Sequence, residues 1–252
     1  TFTSNKAQIL ADRVRHDEDV GKQDGRIKRK APERLHHSFS CQGAVASRSS
    51  EMKTVVVGPE GKLYLTDGHH TFTTLWEQPE GGAKLQMWVK VTDNFSDSAD
   101  LASFWRRMQA ARKVWLKDGQ GQVITPEQIP AQLGLANLGD DPYRALVYFT
   151  REVAYDKPRS GDVAPEFLEF YWGNWLRGQL NLSEYDLRDK GDYRDAIAAA
   201  AKLMVALQAD SAVGDSGFKA AELGGYSSVD RKEMGKMASK KLPYMVAYKA
   251  TR

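Results

Sequence analysis

One short stretch limits the folds open to this chain more than any other. Residues 52–58 (MKTVVVG) form a continuous, mostly β-branched run, which is typical of a strand buried on both faces. Residues 59–62 (PEGK) supply turn chemistry, and residues 63–66 (LYLT) predict a second short strand. A β-hairpin with a buried first strand is therefore the starting point of the fold.

A helix and a third strand complete this unit. Helical periodicity begins near His69, and Gly81 and Gly82 end it. Apolar residues then alternate from residue 84 to residue 91, which predicts the third strand. Hairpin, helix and strand together indicate a compact α/β unit.

Beyond residue 95 the apolar spacing becomes helical. Ser96 or Asp97 is suited to cap a first helix, and Asp141 followed by Pro142 is a strong helix start. The sequence thus predicts an α+β protein, with an α/β domain over residues 1–95 and a mostly helical domain over residues 96–252. Further helices are predicted over residues 143–153, 165–180, 193–208 and 228–238.

The first fifty residues have a different composition. Residues 4–15 have helical spacing, whereas residues 16–50 are poor in apolar residues and rich in Lys, Arg, Gly and Ser. Such a composition predicts a long flexible loop. Its basic cluster between Arg26 and Arg34 is typical of a solvated face, with phosphate contact as the alternative.

Composition excludes several classes of protein. Hydrophobic residues make up 41% and charged residues 27%, the balance of a soluble globular protein. No apolar run approaches the roughly 20 residues that span a bilayer, so no membrane partner is expected. A net charge of +3 permits a polyanionic partner without requiring one. Cys41 is the only cysteine, which rules out an intrachain disulfide and leaves the compartment, cytoplasmic or exported, undetermined.

The residues that suggest chemistry are Asp67, Gly68, His69 and His70, where the second strand gives way to the helix. The first N–H groups of a helix form a natural phosphate site, and a glycine lets an anion approach the backbone closely. Asp67 with His69 can hold a divalent metal, and either histidine can bind phosphate or transfer a proton near neutral pH. Adjacent histidines on a helix point about 100° apart, so we expect them to have separate tasks.

A purely structural interpretation stays open for the same residues. Asp-Gly is ordinary turn chemistry, and Asp67 can simply cap the helix. One histidine can equally be a satisfied core residue.

A family resemblance adds to this local pattern. Residues 55–76 (VVVGPEGKLYLTDGHHTFTTLW) resemble the core of the ParB/sulfiredoxin superfamily, and later blocks in matching order resemble its branch of ParB-like nucleases. The resemblance implies a small ParB/sulfiredoxin-like α/β domain and a nuclease that acts on DNA, or less readily on RNA. The later blocks are residues 104–108 (FWRRM), 129–130 (IP), 140–144 (DDPYR), 155–157 (YDK) and 169–177 (EFYWGNWLR).

Three residues of the helical part are candidates for the same site. Glu169 can complete a metal or base site if its helix packs over the two histidines. Arg144 can bind a phosphate or merely neutralise Asp140 or Asp141. Lys157 can stabilise phosphoryl charge or remain a solvated surface residue.

We expect the catalytic residues to be Asp67, His69 and His70, and we expect Gly68 and Thr71 to contact the phosphate. A Mg²⁺ or Mn²⁺ ion bound by Asp67 and His69 is expected to assist the reaction. Two alternatives stay open. The first is a nucleotide-dependent kinase or NTPase with nucleotide as cofactor, although Thr71 stands where such relatives have an arginine. The second is a non-catalytic module that binds nucleic acid.

Overall fold

The computed structural model of the protein describes residues 52–77, 82–84, 86–158 and 165–250. The helix predicted over residues 4–15 and the loop over residues 16–50 lie outside these residues. A small sheet and a larger group of helices make the chain an α+β protein, as predicted. The strands are β1 (Thr54–Val57), β2 (Leu63–Leu65) and β3 (Lys90–Asn94). The helices of the described residues are α1 (His69–Trp76), α2 (Leu101–Ala110), α3 (Pro142–Thr150), α4 (Leu168–Arg177), α5 (Lys190–Ala206), α6 (Arg231–Lys240) and α7 (Leu242–Lys249).

Strand β1 is the centre of the sheet. It pairs antiparallel with β2 and parallel with β3, in the order β2-β1-β3. Val55 and Val56 are both buried, and neighbouring residues of a strand point to opposite faces, so both faces of β1 are covered as predicted. Strands β1 and β2 are joined by the predicted turn. At the opposite end of this hairpin, the hydroxyl oxygens of Thr54 and Thr66 lie 2.8 Å apart.

The third strand differs from the expected one. It begins at Lys90 rather than residue 84 and runs to Asn94. The pairing explains the difference, because Thr54, the first residue of β1, lies opposite Lys90. Within the part of the chain that the structure describes, no strand lies beside the residues before Lys90, although their apolar residues alternate, and Trp88 is 63% exposed.

Helix α2 packs on the sheet. Phe104 and Met108 form a small core with Val56, and the helix is capped by Asp100 rather than by the predicted Ser96 or Asp97. Asp97 instead accepts a hydrogen bond from Arg107. The predicted domain boundary at residue 95 stays a prediction. Helix α2, which follows this boundary, packs on the sheet that precedes it.

A second and larger core lies among α3 to α7, around the fully buried Trp172, Tyr155 and Tyr193. The predicted start of α3 is confirmed, because the Asp141 carboxylate accepts a hydrogen bond from the Arg144 N–H and Pro142 follows it. Within the described ranges, no helix has both the length and the apolar character needed to cross a membrane.

Candidate active site

The turn between β2 and α1 depends on Gly68. Its φ of 88° lies in the left-handed region, which an L side chain rarely adopts. A Cβ atom at this position would also lie 2.5 Å from Cγ of Lys53, so the lysine stem closes over the glycine. Gly68 has no side chain that could accept a hydrogen bond from the first N–H groups of α1, so this residue does not cap the positive end of the helix dipole.

The two histidines that open α1 are in different electrostatic environments. Burial lowers the pKa of His69, and the negative charge of Asp67 opposes this effect. Burial and the positive charge of Arg144 lower the pKa of His70 to about 3, whereas Glu169 acts in the opposite direction. His69 therefore interacts with the exposed Asp67, and His70 with a pair of charges from the helical part.

That pair is a buried salt bridge between α3 and α4. Nη2 of Arg144 lies 3.1 Å from Oε2 of Glu169, and the two side chains are only 8% and 16% exposed. The guanidinium also stacks on the ring of Phe170, 5.1 Å from its centroid. Among the described residues, no hydrogen-bond partner exists for the buried Nε and Nη1 atoms of Arg144. Of the five N–H groups of this guanidinium, the three on Nε and Nη1 therefore donate to no residue in the described part of the chain.

Positive charge exceeds negative charge around Glu169. Burial raises the pKa of this carboxyl, but Arg144, Lys157 and Arg151 together outweigh burial and leave the pKa below its usual 4.5. Glu169 is therefore ionised at neutral pH. The exposed Lys157 contributes a charge that the salt bridge does not use.

Tyr155 completes the surroundings of the salt bridge. It is fully buried, and burial followed by the charge of Glu169 raises its pKa far above the usual 10. Its hydroxyl has no hydrogen-bond partner among the residues that the structure covers. Sequence reasoning missed Tyr155 as a site residue, although it stands two positions before Lys157.

The structure thus brings together four of the predicted site residues, namely His70, Arg144, Lys157 and Glu169. Gly68 lies in the loop that precedes α1, and Thr71 lies in the first turn of that helix. Asp67 interacts electrostatically with His69. The guanidinium of Arg144 forms its salt bridge with Glu169 rather than with Asp140 or Asp141, although its charge still acts to lower the pKa of Asp141 against the effect of burial. Asp141 instead pairs with Arg177, at 3.0 Å.

The donor set bears on the expected metal. Across the described ranges, no three His, Cys, Asp or Glu side chains form a group that can hold a metal ion. Asp67 and His69 alone supply fewer ligands than resident protein metal sites use. These residues do not fit a metal held by the protein alone, and metal assistance stays a prediction.

Comparison with known proteins gives one family match. The family model described as "Putative ParB-like nuclease" matches residues 11–178, which include every site residue named above. No curated protein matches the chain. Among solved structures, the crystal structure of protein Atu1540 from Agrobacterium tumefaciens is 26% identical in sequence. That match covers 71% of this chain and 81% of the other, with a TM-score of 0.49.

Proposed function

The chain belongs to the ParB-like nuclease family, and from that premise we propose that it hydrolyses phosphodiester bonds of nucleic acid, with DNA before RNA as substrate. The observation that carries the proposal is the state of Arg144. Its guanidinium is buried and paired on one side with Glu169, while Nε and Nη1 lack a partner among the described residues.

Those unused donors favour an anionic ligand. A buried N–H without an acceptor is costly, and a guanidinium donates best to two oxygens of one phosphate group. Glu169 pairs with Arg144, and Asp156 lies 3.8 Å from Arg151, so it is the charge of Lys157 that leaves room for a negative charge. The uncapped end of α1 beside Gly68 adds N–H groups and the favourable end of the helix dipole.

His70 is our candidate for the general base. Because its pKa is about 3 without ligand, its imidazole is neutral at pH 7 and can accept a proton. Burial is the main cause of the low pKa, and the positive charge of Arg144 is the second. A phosphate bound to Arg144 offsets this second cause and so shifts the pKa of His70 upwards, towards the working pH. In the proposed step His70 takes a proton from a water molecule while the oxygen of that water attacks phosphorus. The bond between phosphorus and the sugar oxygen breaks, and this oxygen leaves as an alkoxide that takes a proton from solvent. Arg144 and Lys157 stabilise the charge that develops.

The proposal is tested by incubating the protein with supercoiled plasmid and with an RNA oligonucleotide, in Mg²⁺, in Mn²⁺ and with a chelator. We expect nicking of the plasmid. The variants His70→Ala and Arg144→Ala should each lower the rate by about 10²-fold or more. Asp67→Ala and His69→Ala test the two predicted metal ligands in the same assay.

Arg177→Ala is the matched control. Arg177 is another partly buried arginine that pairs with a buried carboxylate, Asp141, so its loss perturbs the helical core in a similar way. If it retains the wild-type rate per folded molecule, the effect of Arg144→Ala is specific to the site. Hydrolysis of ATP or CTP without nicking would replace the nuclease with a nucleotide-dependent enzyme, and neither activity would leave a binding module.

A further inference from the structure

The candidate site draws on two parts of the molecule whose hydrophobic cores, within the described residues, share no side chain. His70 opens α1 directly after β2, whereas Arg144 and Glu169 belong to α3 and α4. The geometry of the site therefore depends on the contacts that fix the sheet part (β1 to β3, α1 and α2) relative to the helical part (α3 to α7).

Lys113 connects these two parts through an ion bridge. Its Nζ donates a hydrogen bond to Oε1 of Glu166, just before α4 begins, and lies 3.7 Å from Oδ2 of Asp93 in β3. Its backbone N–H donates to the carbonyl oxygen of Met108 in α2, at 2.8 Å. Lys113 is thus fixed to the sheet part by its backbone and by Asp93, and its ammonium group reaches the helical part. Lys113, Asp93 and Glu166 are hereafter the Lys113 bridge.

The Lys113 bridge is largely shielded from water. The side chain of Lys113 is only 16% exposed, and those of Asp93 and Glu166 are 31% and 34% exposed. Oε2 of Glu166 is buried and has no hydrogen-bond partner in the described ranges, so Lys113 is the one side chain there that binds this carboxylate. Loss of the ammonium group would leave two partly buried carboxylates without their shared counter-charge, and removal of one partner of such a group is strongly unfavourable.

Backbone strain lies next to both ends of the bridge. Arg112, with φ 55°, precedes Lys113, and Phe167, with φ 61°, follows Glu166. Both values lie in the left-handed region that bulky residues avoid, and such strain is kept where the surrounding structure fixes a side chain for a function. The guanidinium of Arg112 also stacks on Phe218 of the helical part, 4.8 Å from the ring centroid. The segment that leaves α2 is therefore fastened to the helical part at two neighbouring residues.

We propose that Lys113 is a positioning residue, which through its two carboxylate partners holds His70 of the sheet part against the Arg144–Glu169 pair of the helical part. The effect on the rate rests on the proposed function, in which His70 is the base and Arg144 binds the phosphate. A misplacement of about 1 Å between reacting groups can cost about 10²-fold in rate. Because the phosphate ligand Arg144 stays within the helical part, loss of the bridge lowers kcat and leaves KM nearly unchanged.

The distance between the two parts is measured by pulsed electron paramagnetic resonance. Nitroxide labels are placed on Leu63→Cys in β2 and Lys202→Cys in α5, both exposed positions, in a Cys41→Ser background that removes the only native cysteine. We expect one narrow distance distribution in this parent protein. Lys113→Met should broaden it and shift its maximum, whereas Lys113→Arg keeps the charge and should retain the parent distribution. Glu166→Gln removes the opposite charge with little change of size, and tests the bridge even if Lys113→Met does not fold.

Lys117→Met is the matched control. Lys117 is another partly buried lysine of the same segment, and it pairs with a carboxylate, Asp215, at 3.0 Å, but this pair involves no residue of the sheet. Its distance distribution should equal that of the parent. In nicking assays of the same variants, Lys113→Met should lower kcat by about 10- to 100-fold and change KM less than about threefold, while Lys113→Arg and Lys117→Met stay near the wild-type values.

Unchanged distances in both Lys113→Met and Glu166→Gln would overturn the inference, and so would an equal change in Lys117→Met. A changed distance with an unchanged kcat in an active nuclease would overturn it as well, because the bridge would then not position the site. The distance measurement does not depend on cleavage. A protein whose distance responds to Lys113 but which cuts nothing loses the proposed function alone, and an active nuclease whose distances ignore Lys113 loses this inference alone.

Discussion

Gly173 of α4 packs against the backbone of Arg144 in α3. A Cβ atom at Gly173 would lie 3.4 Å from the backbone nitrogen of Arg144 and 3.5 Å from its Cα. Glu169 stands four residues before Gly173, on the same face of α4. The close approach of the two helices therefore sets the distance across which Glu169 reaches the Arg144 side chain.

The size of residue 173 should decide whether the site forms. Gly173→Ala places a methyl group at ordinary contact distance and removes a helix-interior glycine, so we expect stability to stay equal or rise by up to about 1 kcal/mol. Gly173→Leu overpacks the contact and should cost about 1–3 kcal/mol. Urea denaturation measures both. Full nuclease activity in Gly173→Leu would contradict the view that helix spacing sets the Arg144–Glu169 pair.

The salt bridge itself should be strongly coupled to stability. Glu169→Ala leaves the Arg144 guanidinium buried without its counter-charge, and we expect a loss of about 3–5 kcal/mol. Replacing both residues by Leu should restore most of the stability but none of the activity. Glu60→Ala is the control, because it breaks the exposed Glu60–Lys62 pair, and its urea midpoint should not move. Equal midpoints for Glu169→Ala and wild type would disprove a structural role for the pair.

The parts of the fold that depend on neighbouring residues could be predicted from the sequence. Gly68 was identified because a tight turn into a helix needs a residue that tolerates positive φ. Asp141 and Pro142 predicted the start of α3 correctly because capping is decided within three residues.

The parts that depend on distant contacts could not. Strand β3 starts at Lys90 because β1 is four residues long, and nothing in the spacing of apolar residues reveals that length. The partner of Arg144 lies 25 residues away, beyond two acidic neighbours that are much closer in the sequence. Tyr155 lies in the block at residues 155–157 that resembles the family, but its relation to Glu169 arises only when α4 packs on the preceding segment.

Acid should destabilise the protein through its histidines. The pKa of His70 is about 3 in the folded protein, against about 6.5 when unfolded, so between these values the unfolded chain binds the extra proton. Stability should therefore fall as pH drops below about 6.5, by at most about 1.4 kcal/mol per pH unit from His70. Burial shifts the pKa of His69 in the same direction.

His70→Asn should make this pH dependence shallower, because asparagine does not titrate. The comparison uses urea denaturation between about pH 5 and pH 6.5, above the usual pKa values of Asp and Glu. Unchanged slopes in His70→Asn would show that the imidazole titrates normally in the folded protein.

Gly68 and Gly61 provide the last prediction, a matched pair of glycines with positive φ. Gly61 has φ 73°, and a Cβ atom added there would have nothing within 4 Å, so Gly61→Ala tests backbone strain alone and should cost about 1–2 kcal/mol. Gly68→Ala adds a clash with the Lys53 stem at 2.5 Å to the same strain. It should therefore be the more destabilising variant by urea denaturation.

Activity should separate the two variants further. Gly68→Ala displaces the first turn of α1 and its anion-binding N–H groups, so nicking should fall well beyond the loss of folded protein, while Gly61→Ala should nick at the wild-type rate. Adding Lys53→Ala to Gly68→Ala removes the two closest contacts, with Cγ and Cδ, and leaves the Cβ of residue 53 at 2.9 Å. It should therefore recover part of the stability that separates Gly68→Ala from Gly61→Ala. If the two single variants lose stability and activity equally, Lys53 does not close over Gly68, and the turn is not the anion site that we infer.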